Sequence, residues 1–350
     1  MAQIDALFNE LIKSDGSDLH LEQGQRPRMR INGKLIDCAD QLVLTQEYLC
    51  GILKEISTEE NWQRLERTGD LDFAYALASG ERFRANYFKF FYGYGAIFRL
   101  IPSEIRSFEE LGVPDVMKQV SDLKAGLVLV TGPTGSGKSS TLAAIIDLIN
   151  SRYVKKILTL EEPIEFLHKN KRAIIVHREI GTDAISFAQG LRSALKTDVN
   201  IILVGEMRDR ETIELALTAA EMGVLVLGTL HTNSAAKTVD RIIDSFPSNK
   251  KNQIREILAN TLQIVCAQQL LPSIDKTRRW AAFEILLRSM AIPAIIRGGD
   301  TKLLKTEINT NARLGMISMD NYLLRLVQEN KVSKEEAYVK AMDKTLFQIA

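Results

Sequence analysis

Residues 132–139 read Gly-Pro-Thr-Gly-Ser-Gly-Lys-Ser, a spacing of glycines, lysine and hydroxyl suited to gripping phosphate. Gly132, Gly135 and Gly137 let the backbone curl until consecutive N–H groups converge on phosphate oxygens. A helix starting at the end of such a turn adds unsatisfied donors and the positive end of its dipole. Lys138 would then reach the β- and γ-phosphates, and the Ser139 hydroxyl would hold a magnesium ion. Pro133, Thr134, Ser136 and Ser140 fill out the nucleotide-contacting stretch. A glycine turn with a chance lysine is the alternative, and the flanks argue against it. Gly126–Thr131 is an apolar, β-branched run that reads as a buried strand, and Ser140–Ile149 repeats its apolar residues at helical spacing. Strand, glycine turn and helix together imply a bound nucleoside triphosphate with Mg2+.

Cleaving a triphosphate requires a carboxylate linked to the metal and a group that orients the attacking water. Ile201-Ile202-Leu203-Val204-Gly205-Glu206 supplies a buried strand ending in an acid, the pattern of a Walker B element. Glutamate stands where aspartate is usual, and its longer reach suggests contact with magnesium through a bound water. A second acidic group, Glu161-Glu162-Pro163-Ile164-Glu165, follows the strand-like Leu158-Thr159-Leu160. Pro163 ends that strand and turns the chain at the edge where ligands gather in α/β sheets. Glu165 is the expected general base, although a solvated charged turn fits the same residues. His231, after Gly228-Thr229-Leu230, fits a sensor of the γ-phosphate and equally a structural hydrogen-bonding histidine.

These residues need a scaffold, and the chain of 350 residues has room for two domains. Its 45% hydrophobic and 25% charged residues are ordinary for a globular protein, and a net charge of +1 gives no general attraction to nucleic acid. Cys38, Cys50 and Cys266 lie far apart without a CxxC pair, which fits a reducing cytosol rather than a zinc or disulfide framework. No signal peptide and no apolar stretch long enough to span a bilayer is expected. A cytoplasmic location follows, with membrane association only through a partner.

The first hundred residues read as a small α+β domain. Helices are expected over Ile4–Lys13, Thr45–Glu55 and Glu59–Arg67. Strands are expected near Asp18–Leu21, Arg28–Ile31, Leu71–Ala76, Arg82–Phe88 and Ala96–Ile101, with Asn32-Gly33 as a hairpin turn and Gly93-Tyr94-Gly95 as a separator. Pro102–Pro114 reads as a connection. Beyond it strands and helices alternate, which implies a mostly parallel sheet. The strands fall near Leu127–Thr131, Lys156–Leu160, Ile174–His177, Ile201–Val204 and Val224–Leu230. After Asn249 helices dominate, with one further strand near Arg279–Leu286.

The ordered motifs resemble the type IV pilus retraction ATPases of the PilT family, within the type II/IV secretion ATPase superfamily. The resemblance covers nearly the whole chain. It runs from Ser17–Leu21 and Arg82-Phe83-Arg84 through residues 132–139 to Glu161–Glu165, Arg178–Gly181 and Leu191–Leu195. It continues with Gly205–Asp209, Glu211-Thr212-Ile213, Leu215–Glu221, Gly228–Thr232 and Asp240–Pro247.

This resemblance implies an α/β chain with a PAS-like N-terminal domain (1–101), a linker (102–115) and a RecA-like ATPase domain with a helical C-terminal part (116–350). It implies a homohexamer, ATP bound between the domains, and an inner-membrane pilus platform protein as partner. Arg82, Arg84 and Arg99 become candidates to neutralise transition-state charge, with exposed surface cations as the other reading. Ser139 and Glu206 are the implied metal contacts. The chain departs from the family at Glu162, usually aspartate, at Val224, usually the first of two histidines, and at Pro293 and Ala294 within Ala291–Arg297, usually Arg and Asn. Pilus retraction is the implied function. An accessory retraction paralogue or an ATP-binding regulatory module with little turnover are the alternatives. A GTPase lacks an Asn-Lys-x-Asp sequence to support it.

Overall fold

The computed structural model describes residues 2–31, 34–38, 42–101 and 104–347. Its contacts form two compact units, Met1–Glu104 with Glu162–Leu167, and Ile105–Glu161 with His168–Ala350. Both are mixtures of helix and sheet.

The first unit runs α1 (Asp5–Lys13), β1 (Gly16–Glu22), β2 (Arg28–Ile31), β3 (Lys34–Asp37), α2 (Gln46–Glu55), α3 (Glu59–Thr68), β4 (Asp70–Ala76), β5 (Arg82–Phe90) and β6 (Gly93–Ile101). Thr45 and Thr58 cap α2 and α3 through their side chains, as hydroxyl residues do at helix starts. The strands form an antiparallel sheet in the order β3-β2-β1-β6-β5-β4. Alternation sends Phe83, Tyr87 and Phe98 to one face, where the Phe8 ring of α1 stacks on Phe83 at 4.2 Å. The expected turn at Asn32-Gly33 lies outside the described residues, though Ile31 and Lys34 on either side pair in register.

The separator expected at Gly93–Gly95 is instead the start of β6, and the hairpin turns at Phe91-Tyr92. The glycines there serve packing. A Cβ on Gly95 would stand 2.4 Å from the Phe88 ring across the hairpin, and Gly93 has φ +139.

The second unit begins inside the expected linker. Pro102 lies outside the described residues, but Ser107 and Glu110 form a capping box on α4 (Phe108–Leu111), and Phe108 and Val113 are buried in this unit's core. The apolar spacing in that stretch is too sparse to outweigh its prolines and charges when read from sequence. Next come β7 (Gly126–Thr131), α5 (Lys138–Arg152), β8 (Lys156–Glu161), β9 (Ile174–Glu179), α6 (Phe187–Ala194), β10 (Ile201–Val204), α7 (Arg210–Glu221), β11 (Leu225–Leu230), α8 (Ala235–Asp244) and α9 (Lys251–Thr261). The chain ends with β12 (Leu262–Pro272), β13 (Arg279–Leu287), α10 (Ile292–Gly298), α11 (Leu303–Thr310), α12 (Met319–Gln328) and α13 (Lys334–Lys340).

The second sheet has the order β13-β12-β7-β11-β10-β8-β9, parallel except for the antiparallel edge strand β13. Strands β7, β10 and β11 are buried along their full length, which is why they read as continuous apolar runs. Strand β12 was not expected. It follows α9 without an intervening residue, so no turn signal marks the change from helix to strand. Segment 162–167 also clusters with the first unit, so the expected span 116–350 is interrupted there.

Candidate functional site

The parallel register brings the chemistry-bearing residues of the second unit to one sheet edge. β7 pairs with β11 through Thr131 and Leu230, and β11 pairs with β10 through Gly228 and Val204. β10 in turn pairs with β8 through Val204 and Leu160. The turn at residues 132–137, His231 and Glu206 follow the C-terminal ends of β7, β11 and β10, and Glu161 ends the adjacent β8, at the edge where open α/β sheets bind ligands.

All three glycines of the turn lie at positive φ: Gly132 at 145, Gly135 at 75 and Gly137 at 89. Gly137 is the left-handed residue that opens α5, so Lys138, Ser139 and Ser140 form its first turn. Ser136 N–H donates to the Pro133 carbonyl, and Pro133, Thr134 and Gly135 are exposed. Lys138 Nζ donates to the Gly132 and Pro133 carbonyls at 2.8 and 3.0 Å, so its ammonium lies over the curl of the loop. Ser136 Oγ and Thr131 Oγ1 are buried polar atoms without a hydrogen-bond partner among the described residues.

Glu206 stands two residues beyond β10. Gly205 lets the strand end pass close to β8: a Cβ there would stand 3.1 Å from the Leu160 carbonyl. The Gly205 carbonyl accepts a hydrogen bond from Thr229, and Met207 N–H donates to the Thr229 carbonyl, which ties the Glu206 turn to β11. The carboxylate, 21% exposed, meets Arg208 at 2.7 Å and His231 Nε2 at 2.8 Å. Partial burial pushes it up, while Arg208 and His231 more than offset this, so it lies below the ordinary carboxylate range. It is ionised at neutral pH, as a base or an outer ligand of a cation must be. Arg208, which lies within the Gly205–Asp209 stretch, is the second partner of the carboxylate. Its signal was the (i, i+2) spacing to Glu206 in an extended turn.

Glu165 is half-buried on the segment that belongs to the first unit. In that unit Arg82 donates to the Ile164 carbonyl at 2.8 Å, which links the arginine strand to the acidic segment. Arg84 and Arg99 stand opposite each other on β5 and β6, and Arg82 shares their face two residues away. That face is the one opposite Phe83 and Phe98. Arg84 lies 3.8 Å from Asp72, and Arg99 donates to Asp18 at 2.8 Å.

Asp18 is only 5% exposed and also faces Arg30 at 3.7 Å, so two strands of the sheet share one buried carboxylate. Burial raises its pKa, but the bonds from Ser17 and Arg99 with the Arg99 charge lower it further, to a net value below 3.8. A depressed carboxyl contributes stability above its unfolded pKa and loses it as pH falls through the folded one. The urea midpoint of the wild type should therefore fall towards that of Asp18→Asn as pH drops below about 4. A difference between the two that stays constant from pH 6 to pH 2 would contradict this ion-pair assignment.

Two of the departures from the resembled pattern, at Pro293 and Val224, are accommodated locally. Pro293 is the second residue of α10, where no backbone donor is needed, so the helix forms without a kink. Arg297 closes that helix with a two-oxygen pair to Glu256 and a bond to Asn260 on α9. Val224 precedes β11, and its carbonyl accepts from Gly126 N–H at the start of β7, the sheet edge opposite His231.

Among the described residues no helix is long and apolar enough to cross a membrane. The profile of the family described as "Type II/IV secretion system protein" matches residues 1–346. The chain is 44% identical over 329 residues to a Pseudomonas aeruginosa protein named "Type IV pilus retractation ATPase PilT", covering 94% of this chain and 95% of that one. It is 32% identical to "Type IV pilus ATPase PilU" of the same organism, covering 97% and 88%. A structure described as "Crystal Structure of the Pilus Retraction Motor PilT and Bound ADP" superposes with a TM-score of 0.91 at 38% identity, covering 99% of this chain and 98% of that one.

Proposed function

The chain belongs to the type II/IV secretion system protein family, and from that premise we propose that it is an ATP-hydrolysing motor that powers type IV pilus retraction. The observation that carries this reading is the common sheet edge after β7, β10 and β11, where a positive-φ glycine loop, an ionised Glu206 and His231 meet. The comparison with an ADP-bound relative that covers almost the whole chain supports nucleotide use.

In this reading the N-terminal unit is PAS-like and the C-terminal unit RecA-like, and six copies form a ring in the cytoplasm. The loop residues 132–140 bind the phosphates, with Lys138 supplying charge to the β- and γ-phosphates. Ser139 and Glu206 would hold magnesium. One hydroxyl and one carboxylate suit a cation that keeps several waters and takes phosphate oxygens, and no group of three or more acidic, His or Cys residues that would make a protein cage occurs among the described residues. Magnesium would supply charge neutralisation at the phosphates. Glu206 accepts hydrogen bonds from Arg208 and His231, which hold the carboxylate oriented and charged. His231 senses the γ-phosphate, Glu165 is the general base, and Arg82, Arg84 and Arg99 offset charge in the transition state. The ring pulls on an inner-membrane platform protein, with a paralogous retraction ATPase as companion.

Mixed rings test the arginine role. Titrating Arg84→Ala subunits into Lys138→Ala subunits should give phosphate release that varies non-linearly with the mixing ratio. A strictly proportional response would mean that each subunit completes its own site.

A further inference from the structure

Gln268 on β12 follows Ala267, the residue paired with Thr131, so it stands beside the first glycine of the phosphate loop. It is 3% exposed within a mostly apolar strand, where a carboxamide costs free energy unless it is bonded. Its Oε1 accepts a 2.8 Å hydrogen bond from Thr141 Oγ1, and Thr141 is 1% exposed in the opening turns of α5. Its Nε2 lies 2.8 Å from where a Cβ on Gly137 would stand, and its backbone carbonyl oxygen 2.2 Å from a Cβ on Gly132. One residue thus abuts the entrance of the loop, its exit and the helix that follows.

Resting on the reading of residues 132–139 as a phosphate-binding loop, we infer that Gln268 is a positioning residue that holds this loop in its binding shape. It acts through Thr141 and through close packing on Gly132 and Gly137, without touching the ligand. A loop with three glycines has much conformational freedom to lose when it binds. A buried clamp that removes this freedom in advance raises affinity by lowering the ordering cost. The same contacts give Gly132 and Gly137 a reason to be glycine beyond their φ: a side chain at either would occupy the space that Gln268 fills.

The test titrates mant-ADP with magnesium into the full chain. Thr141→Val keeps the shape of the side chain and removes the hydroxyl, and should weaken binding about tenfold. Thr141→Ser keeps the hydroxyl and should bind like the wild type. Gln268→Leu should weaken binding about as much as Thr141→Val, and the double variant no more than the weaker single one, because both remove the same bond. Should Gln268→Leu fail to fold, the two Thr141 variants alone decide. Wild-type affinity in Thr141→Val, or equal weakening in Thr141→Ser, would overturn the inference and leave the loop reading intact. A wild-type chain that does not bind mant-ADP would overturn both.

Discussion

Replacing Lys138 with alanine is expected to bring phosphate release to background and to weaken nucleotide binding about a hundredfold or more. The side chain does two things that alanine cannot. Its ammonium lies within hydrogen-bond distance of the Gly132 and Pro133 carbonyls, so it braces the curl from inside. It also supplies a cation where a triphosphate concentrates negative charge. The substitution should leave the fold intact, because the residue is half-exposed at the start of α5 and alanine is a strong helix former. Isothermal titration with ADP and a phosphate-release assay separate the two losses. Near-normal turnover in the variant would refute the assignment of residues 132–139 as the phosphate loop.

Glu206→Gln should lower turnover by about a hundredfold to ten-thousandfold while nucleotide still binds. Glutamine keeps the shape and removes the charge. Arg208 and His231 both lie within 2.8 Å of the carboxylate oxygens, so the variant leaves two donors facing a neutral amide and removes the anion they orient. The phosphate loop keeps its own hydrogen bonds, from Lys138 to the Gly132 and Pro133 carbonyls. Binding and turnover should therefore part company in this variant, whereas Lys138→Ala loses both. A wild-type chain that releases phosphate no faster than Glu206→Gln would favour an ATP-binding regulatory module over a motor.

The second unit was legible in sequence because its strands are buried on both faces. Runs such as Ile201–Val204 and Leu225–Leu230 announce themselves without alternation, and the loop between β7 and α5 carries its own signature. Glu206 and His231 could be named because each follows such a run. What joins them could not be read: the 2.8 Å contact depends on β10 and β11 being neighbours, which is a fact of strand order. Gln268 escaped for a similar reason. A glutamine within Leu262–Pro272 looks like an interruption of an apolar run until β12 is placed beside β7. In the first unit, Phe91-Tyr92 turned the hairpin where glycines were expected, because Gly93 and Gly95 serve ring packing and backbone freedom instead. The capping box at Ser107 shows the converse. A short motif inside a nominal connection was enough to begin a folded unit.

Strand β11 joins Val224, a position that departs from the resembled pattern, to His231, which contacts Glu206. Val224 lies at its entrance and His231 at its exit, about 20 Å apart for an extended chain of this length. Everything between them is buried and laddered to β7 and β10 on either side, so the strand behaves as a stiff rod rather than a tether. Selection can therefore work on its two ends separately. A change at the entrance leaves the exit's 2.8 Å contact with Glu206 in place. One buried piece of backbone thus fixes where both ends stand without tying the identity of one to that of the other.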